Sequence, residues 1–182
     1  MQRFYVGYYR FNNIIMEETA NFIETQKFRQ WWLWLILLII NIFSLMAVYG
    51  QEAGDVESGL LDRRPTRSVL ALAVTLAISV LFAIMKLETH IVRDGIKVRF
   101  FPFHIKYKTF SWDSISGARV RCYSPIGEFG GWGLRIGIGS RGSAYNVSGN
   151  KGLQLEFKNG KKLLIGTNKA SQLEIAIKRT RI

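Results

Sequence analysis

The chain has 182 residues, 25 Lys and Arg against 13 Asp and Glu, a formal charge of +12 and one cysteine. That length fits one domain with attachments, and a lone cysteine, Cys122, excludes an internal disulfide or a paired-cysteine zinc or redox motif. The charge is uneven: from Lys86 onward 18 Lys and Arg meet 6 Asp and Glu, whereas the first 85 residues hold 7 of each sign.

Residues 1–30 are rich in aromatics. Phe4, Tyr8, Phe11 and Ile15 fall at helical spacing, which predicts a segment lying along lipid headgroups or packing on the tail domain or a neighbouring subunit. Residues 17–30 are expected to be a helix that continues into the next run. Residues 31–49, WWLWLILLIINIFSLMAVY, carry no charge; at about 1.5 Å per residue they extend roughly 28 Å, enough to cross a hydrocarbon core. Trp31, Trp32 and Trp34 mark one end at headgroup level. Residues 69–85 form a second uncharged run, VLALAVTLAISVLFAIM. Both runs are apolar all round instead of striped, which favours lipid over a soluble core. Their few polar residues, Asn41, Ser44, Thr75 and Ser79, are of the kind that joins helices to one another.

Residues 50–68 read as a polar connecting loop, so both termini lie on one side. Lys27 and Arg29 before the first run, and Lys86, Arg93, Lys97 and Arg99 after the second, place that side in the cytoplasm by the positive-inside rule. Arg63, Arg64 and Arg67 in the loop pull the other way.

From residue 86 the pattern becomes alternating. Residues 89–93 and 96–100 flank Asp94-Gly95, a hairpin signal in which the dipeptide is expected to supply positive φ angles. Further strands are predicted over 104–110, 118–123, 134–138, 144–147, 153–157 and 161–165, the last two joined at Asn159-Gly160. Ser171-Gln172-Leu173-Glu174 has the form of a capping box and opens a short helix with Leu173, Ala176 and Ile177 on its apolar face. Lys178, Arg179 and Arg181 fall in its last turn, where the helix dipole favours cations.

A meander of about seven strands closed by a terminal helix resembles the pleckstrin-homology (PH) superfold. The segments YKTFSWDSI, ARVRCYSPIGEFGGWGLR, SAYNVSGNKGLQLEF and KLLIGT resemble the bacterial PH-like family of small membrane proteins. The resemblance implies an α+β membrane protein: a two-helix transmembrane hairpin, then an antiparallel PH-like β-barrel or sandwich over 86–182 with a C-terminal helix. It also implies the bacterial inner membrane as the location, multi-pass, with the domain cytoplasmic. It implies little about activity, because such barrels serve many roles.

Gly137, Gly139 and Gly142 spell G-x-G-x-x-G. A dinucleotide turn needs a helix immediately after it, and here a strand follows, so the glycines are expected to permit tight crossings of a curved sheet. Backbone amides beside cations still make anion sites. Trp132, Arg135, Arg141, Asn150 and Lys151 are the candidate ligand-binding residues for an anionic lipid or phosphate. The competing expectation is solvated charge on strand faces.

No H-E-x-x-H, no G-x-S-x-G and no cluster of metal ligands occurs. Neither histidine has a sequence neighbour that suggests catalysis, so no catalytic residue, metal or cofactor is expected and the chain is not expected to be an enzyme. Its cations are spread over nearly every strand, which disfavours nucleic acid as a partner. The expected partners are the bilayer, further copies of the chain or another membrane protein, and an anionic lipid.

Overall fold

A computed structural model describes residues 20–58, 66–137 and 142–180. The protein is mixed α+β, with an apolar helical segment early in the chain, then two β-sheets and a C-terminal helix. It divides into two compact units. One is residues 28–85; the other joins the strand before that segment to everything after it.

In the first unit, α1 runs Trp31–Ser58 and α2 runs Thr66–Ile84. Within α1, Trp31–Gly50 is long and apolar enough to cross a membrane; α2 holds a shorter apolar stretch, Ser68–Ile84. Large apolar side chains such as Leu38, Phe43 and Met46 are exposed on α1. The polar residues act within the helix pair. Asn41 Nδ2 donates to Ser79 Oγ at 2.9 Å, while the Ser44, Thr75 and Ser79 hydroxyls return to carbonyls of their own helices. The expected loop over 50–68 is shorter than its composition suggests, because α1 continues to Ser58.

The helix expected over 17–30 is not what forms. Phe22–Lys27 is a strand, β1, pairing antiparallel with β2, Lys86–Val92, in the register Phe22↔Ile91 through Lys27↔Lys86. The alternation of β1 turns Phe22, Glu24 and Gln26 inward. Two polar residues on the buried face hide the strand from a hydrophobic pattern. Sheet A has the order β1-β2-β3-β4, with β3 at Gly95–Phe101 and β4 at Lys108–Ser111. The β2–β3 hairpin pairs Val92 with Gly95, so the two turn residues are Arg93 and Asp94, neither with positive φ. Gly95 is needed for a different reason: a Cβ there would lie 2.1 Å from the Phe110 carbonyl oxygen on β4.

Sheet B contains β5 (Ile115–Cys122), β6 (Gly133–Arg135), β7 (Ser143–Asn146), β8 (Lys151–Phe157) and β9 (Lys162–Gly166), in the order β5-β8-β9-β7-β6. This is not the expected antiparallel meander. The short helix α3, Pro125–Phe129, lies between β5 at one edge and β6 at the other, and the β8–β9 hairpin fills the space between. One consequence is a parallel pair, β7 with β9 (Ala144↔Leu164). Leu87, Ile91, Ile96, Val98 and Phe100 of sheet A and Leu153, Leu155 and Ile165 of sheet B are buried. A smaller cluster, Tyr123, Ala144 and Leu164, packs with Phe129 of α3.

The terminal helix α4, Ala170–Thr180, buries Leu173, Ala176 and Ile177 as its periodicity requires. Its capping box is unused. The helix starts before Ser171, Thr167 Oγ1 accepts the Lys169 N–H at 3.0 Å, and Glu174 pairs with Lys178 at 2.9 Å.

Candidate functional site

Among the described residues β4 pairs only with β3, so its outer edge is free. Beside that edge opens a cleft of about 850 Å³, lined by β4, the start of β7 and the β8–β9 turn. Lys108, Lys161 and Lys162 contribute charge, Thr109, Ser114, Ser143 and Tyr145 contribute hydroxyls, and among the described residues no carboxylate lines it. Lys108 Nζ donates to Tyr145 Oη at 3.2 Å and lies 5.7 Å from that ring's centre. The His104 ring also packs on this tyrosine, 5.2 Å from the Tyr145 centroid. Burial, and secondarily the Lys108 charge, holds the His104 imidazole below its usual pKa. Cations converging on a partly enclosed surface without carboxylates favour an anionic occupant.

Gly137 and Gly142 also line this cleft, and their role there is steric. A Cβ at Gly137 would meet the Gly142 carbonyl oxygen at 1.6 Å, and one at Gly142 would meet the Lys162 carbonyl oxygen at 2.3 Å. Gly142 in addition has φ +76°. β7 follows, not a helix, so Gly137 and Gly142 serve close backbone crossing. Gly139 lies outside the described residues.

The candidates Trp132, Arg135, Asn150 and Lys151 do not line the cleft, and Arg141 lies outside the described residues. Trp132 Nε1 donates to the Gly149 carbonyl at 3.1 Å, and the Asn150 carbonyl accepts the Tyr123 N–H at 2.8 Å. Lys151 opens β8, where its carbonyl accepts the Thr167 N–H at 2.9 Å. Trp132, Asn150 and Lys151 therefore share the β7–β8 turn. Arg135 sits on the edge strand β6, separated from β8 by β7 and β9, three strand spacings or about 14 Å. The lysines of the cleft escaped notice in the sequence because they come from separated segments; Lys161-Lys162 directly after Asn159-Gly160 was the available signal.

Two buried carboxylates lie elsewhere. Glu88 on β2 meets Lys86 Nζ at 2.7 Å, Arg99 Nη2 at 2.5 Å and Tyr107 Oη at 2.7 Å. Burial by itself would raise the Glu88 pKa, but the bonds from Lys86, Tyr107 and Arg99 outweigh it and hold the carboxyl below its ordinary value. Glu24 on β1 accepts Thr167 Oγ1 at 2.5 Å and the Asn168 N–H at 2.8 Å, and Gln26 Nε2 donates to the Gly166 carbonyl at 2.7 Å. Both carboxylates are consumed by structural donors. Among the described residues no group of three His, Cys, Asp or Glu is placed to hold a metal ion. Comparison with known proteins gives no relative: no family model, no curated protein and no solved structure matches the chain.

Proposed function

We propose that this protein is a non-catalytic, membrane-anchored module of PH-like build, acting in protein–protein assembly or scaffolding at the inner face of a bacterial membrane. In this reading α1 and α2 form a two-helix transmembrane hairpin and both termini are cytoplasmic. The observation that carries it is the pairing Lys27↔Lys86. The apolar segment leaves the domain from one strand and returns in the next, with only residues 28–30 before α1 and Met85 after α2. The anchor is thus an insertion into a sheet, and the domain is tethered twice with almost no linker. The free edge of β4 supplies a surface for assembly, since unpaired strand groups accept a further strand.

The test is chemical cross-linking of the full-length protein in native membranes, followed by mass measurement in detergent. A membrane-bound complex is expected, either of copies of the chain or with a second protein. Recovery in the aqueous fraction without detergent refutes the anchor, and a clean monomer with nothing co-purifying refutes the assembly role.

A second reading, binding of a phosphate or anionic lipid headgroup, is favoured by Lys108, Lys161 and Lys162 and by the lack of a carboxylate among the described residues of the cleft. Reversing Lys108, Lys161 and Lys162 to Glu in the detergent-solubilised protein should abolish binding of pyrophosphate measured by calorimetry. Equal loss on reversing Arg135 and Lys151 would reduce the effect to diffuse charge.

A further inference from the structure

We propose that the β3–β4 loop, residues 102–107, is a second membrane contact in which Phe103 and Ile105 seat among lipid headgroups and upper acyl chains while Lys106 meets anionic phosphates. The inference rests on the membrane-anchored reading and adds a surface to it.

The first ground is position. Lys27 pairs with Lys86 and Lys86 with Phe101, so three neighbouring strands bring one end of sheet A to the point where the chain departs and returns. With strands about 4.8 Å apart, the loop begins about 10 Å from Lys27. Four residue steps separate Lys27 from Trp31, at most about 14 Å of extended chain. A bilayer that holds α1 is therefore within reach of the loop.

The second ground is the way the loop is built. Its N-terminal part is folded on itself: the His104 N–H donates to the Phe100 carbonyl at 2.8 Å, and His104 Nδ1 faces the Phe100 N–H at 3.4 Å. His104 packs on Tyr145, and Tyr107 reaches Glu88. These two residues fasten the loop to the domain and leave Ile105 and Lys106 between them, and Phe103 just before them, outside. Phe103 is 53% exposed and Ile105 75% exposed, and Lys106 is exposed as well. Elsewhere in the domain exposed large apolar residues such as Ile126 and Ile175 stand alone, as is ordinary on a surface. Here two stand within three residues, beside a cation, on a fastened loop with no acidic residue between Phe100 and Lys108. Apolar side chains flanked by lysine suit an anionic lipid interface.

The experiment uses the full-length protein carrying Cys122→Ser, with single Phe103→Cys, Ile105→Cys, Ile175→Cys or Leu38→Cys changes. Each is labelled with an environment-sensitive fluorophore in vesicles of phosphatidylethanolamine and phosphatidylglycerol. Nitroxide lipid should quench the labels at 103 and 105 at least about twofold more than the label at 175, as expected of side chains at interfacial depth. Labels at 103 and 105 that behave like the one at 175 refute the loop contact. Shielding from aqueous iodide without lipid quenching places the loop on protein and refutes it equally. The label at Leu38 separates the failures: if it is not quenched by lipid, the anchored reading falls, and if it alone is quenched, only the loop contact falls. Hydrogen exchange on the unsubstituted protein needs no cysteine. Amides of residues 103–106 should exchange severalfold more slowly in anionic vesicles than in purely zwitterionic ones, and equal exchange counts against the proposal.

Discussion

A chain beginning at Lys86 contains eight of the nine strands found among the described residues, and the terminal helix, yet it should not fold stably. Without β1 the domain loses the buried Phe22 side chain, worth about 2–3 kcal/mol. It loses the two bonds to the Glu24 carboxylate, together about 3 kcal/mol for charge-assisted pairs, and the Gln26 bond, about 1 kcal/mol. The sum, about 6–7 kcal/mol, is comparable with the whole stability of a domain this size. The register Lys27↔Lys86 also supplies the remedy. Replacing residues 28–85 with a short Gly-rich hairpin turn joins two strands that already pair. Urea unfolding followed by circular dichroism, with amide dispersion by NMR, compares the two soluble chains. The closed chain should unfold cooperatively and the one starting at Lys86 should lack a cooperative transition. If both unfold with free energies within about 1 kcal/mol of each other, β1 is not integral to the domain and the two-point tether loses its basis.

Glu88→Gln removes the charge at the centre of the Lys86–Arg99–Tyr107 group and should destabilise the domain by about 2–3 kcal/mol at neutral pH. The depressed Glu88 pKa means that its contribution is present above the unfolded carboxyl pKa and is lost as pH falls through the folded one; the variant should therefore show a shallower acid limb in urea midpoints, and an unchanged limb refutes the assignment. Gly142→Ala forces a Cβ onto the Lys162 carbonyl at positive φ and should cost about 2 kcal/mol or more by the same unfolding assay. Lys108→Met removes the charge that, after burial, holds down the His104 pKa, so the imidazole titration followed by NMR should move upward. Asn41→Leu breaks the bond to Ser79 and should lower the thermal midpoint of the detergent-solubilised protein, by the equivalent of about 1 kcal/mol.

The elements that could be read directly were those whose pattern is complete within a few residues. β8 and β9 alternate and are joined by Asn159-Gly160, and the structure pairs Leu153 with Ile165 across that turn. The α4 periodicity placed Leu173, Ala176 and Ile177 inward. The apolar run beginning at Trp31 is visible at once because length and lack of charge need no partner to be recognised. Strand order was less legible. β6 and β7 are short, and the order that sets β7 beside β9, with β6 outside it, rests on long-range pairing and on close backbone approaches such as those at Gly137 and Gly142, neither of which is a local signal. The cleft shared that fate, since Lys108 and Lys162 lie far apart in the chain and come to one opening only because β4 and β9 both border it.

β1 is the instructive miss. FIETQK has one strongly apolar inward residue, Phe22, followed by Glu24 and Gln26, and by composition it extends the helix that follows. Burying a carboxylate is unfavourable unless donors meet it, and the donors are Thr167 and the Asn168 amide, more than 140 positions downstream. No local rule can see them. The same fact explains why the strand belongs where it is: a purely apolar β1 would pack on any greasy edge, whereas the Glu24 carboxylate and the Gln26 Nε2 group find their partners at Gly166, Thr167 and Asn168, in the β9–α4 turn. Polar burial here fixes register and partner together, so the segment that leads into the apolar helix is set into the domain at one place in one alignment.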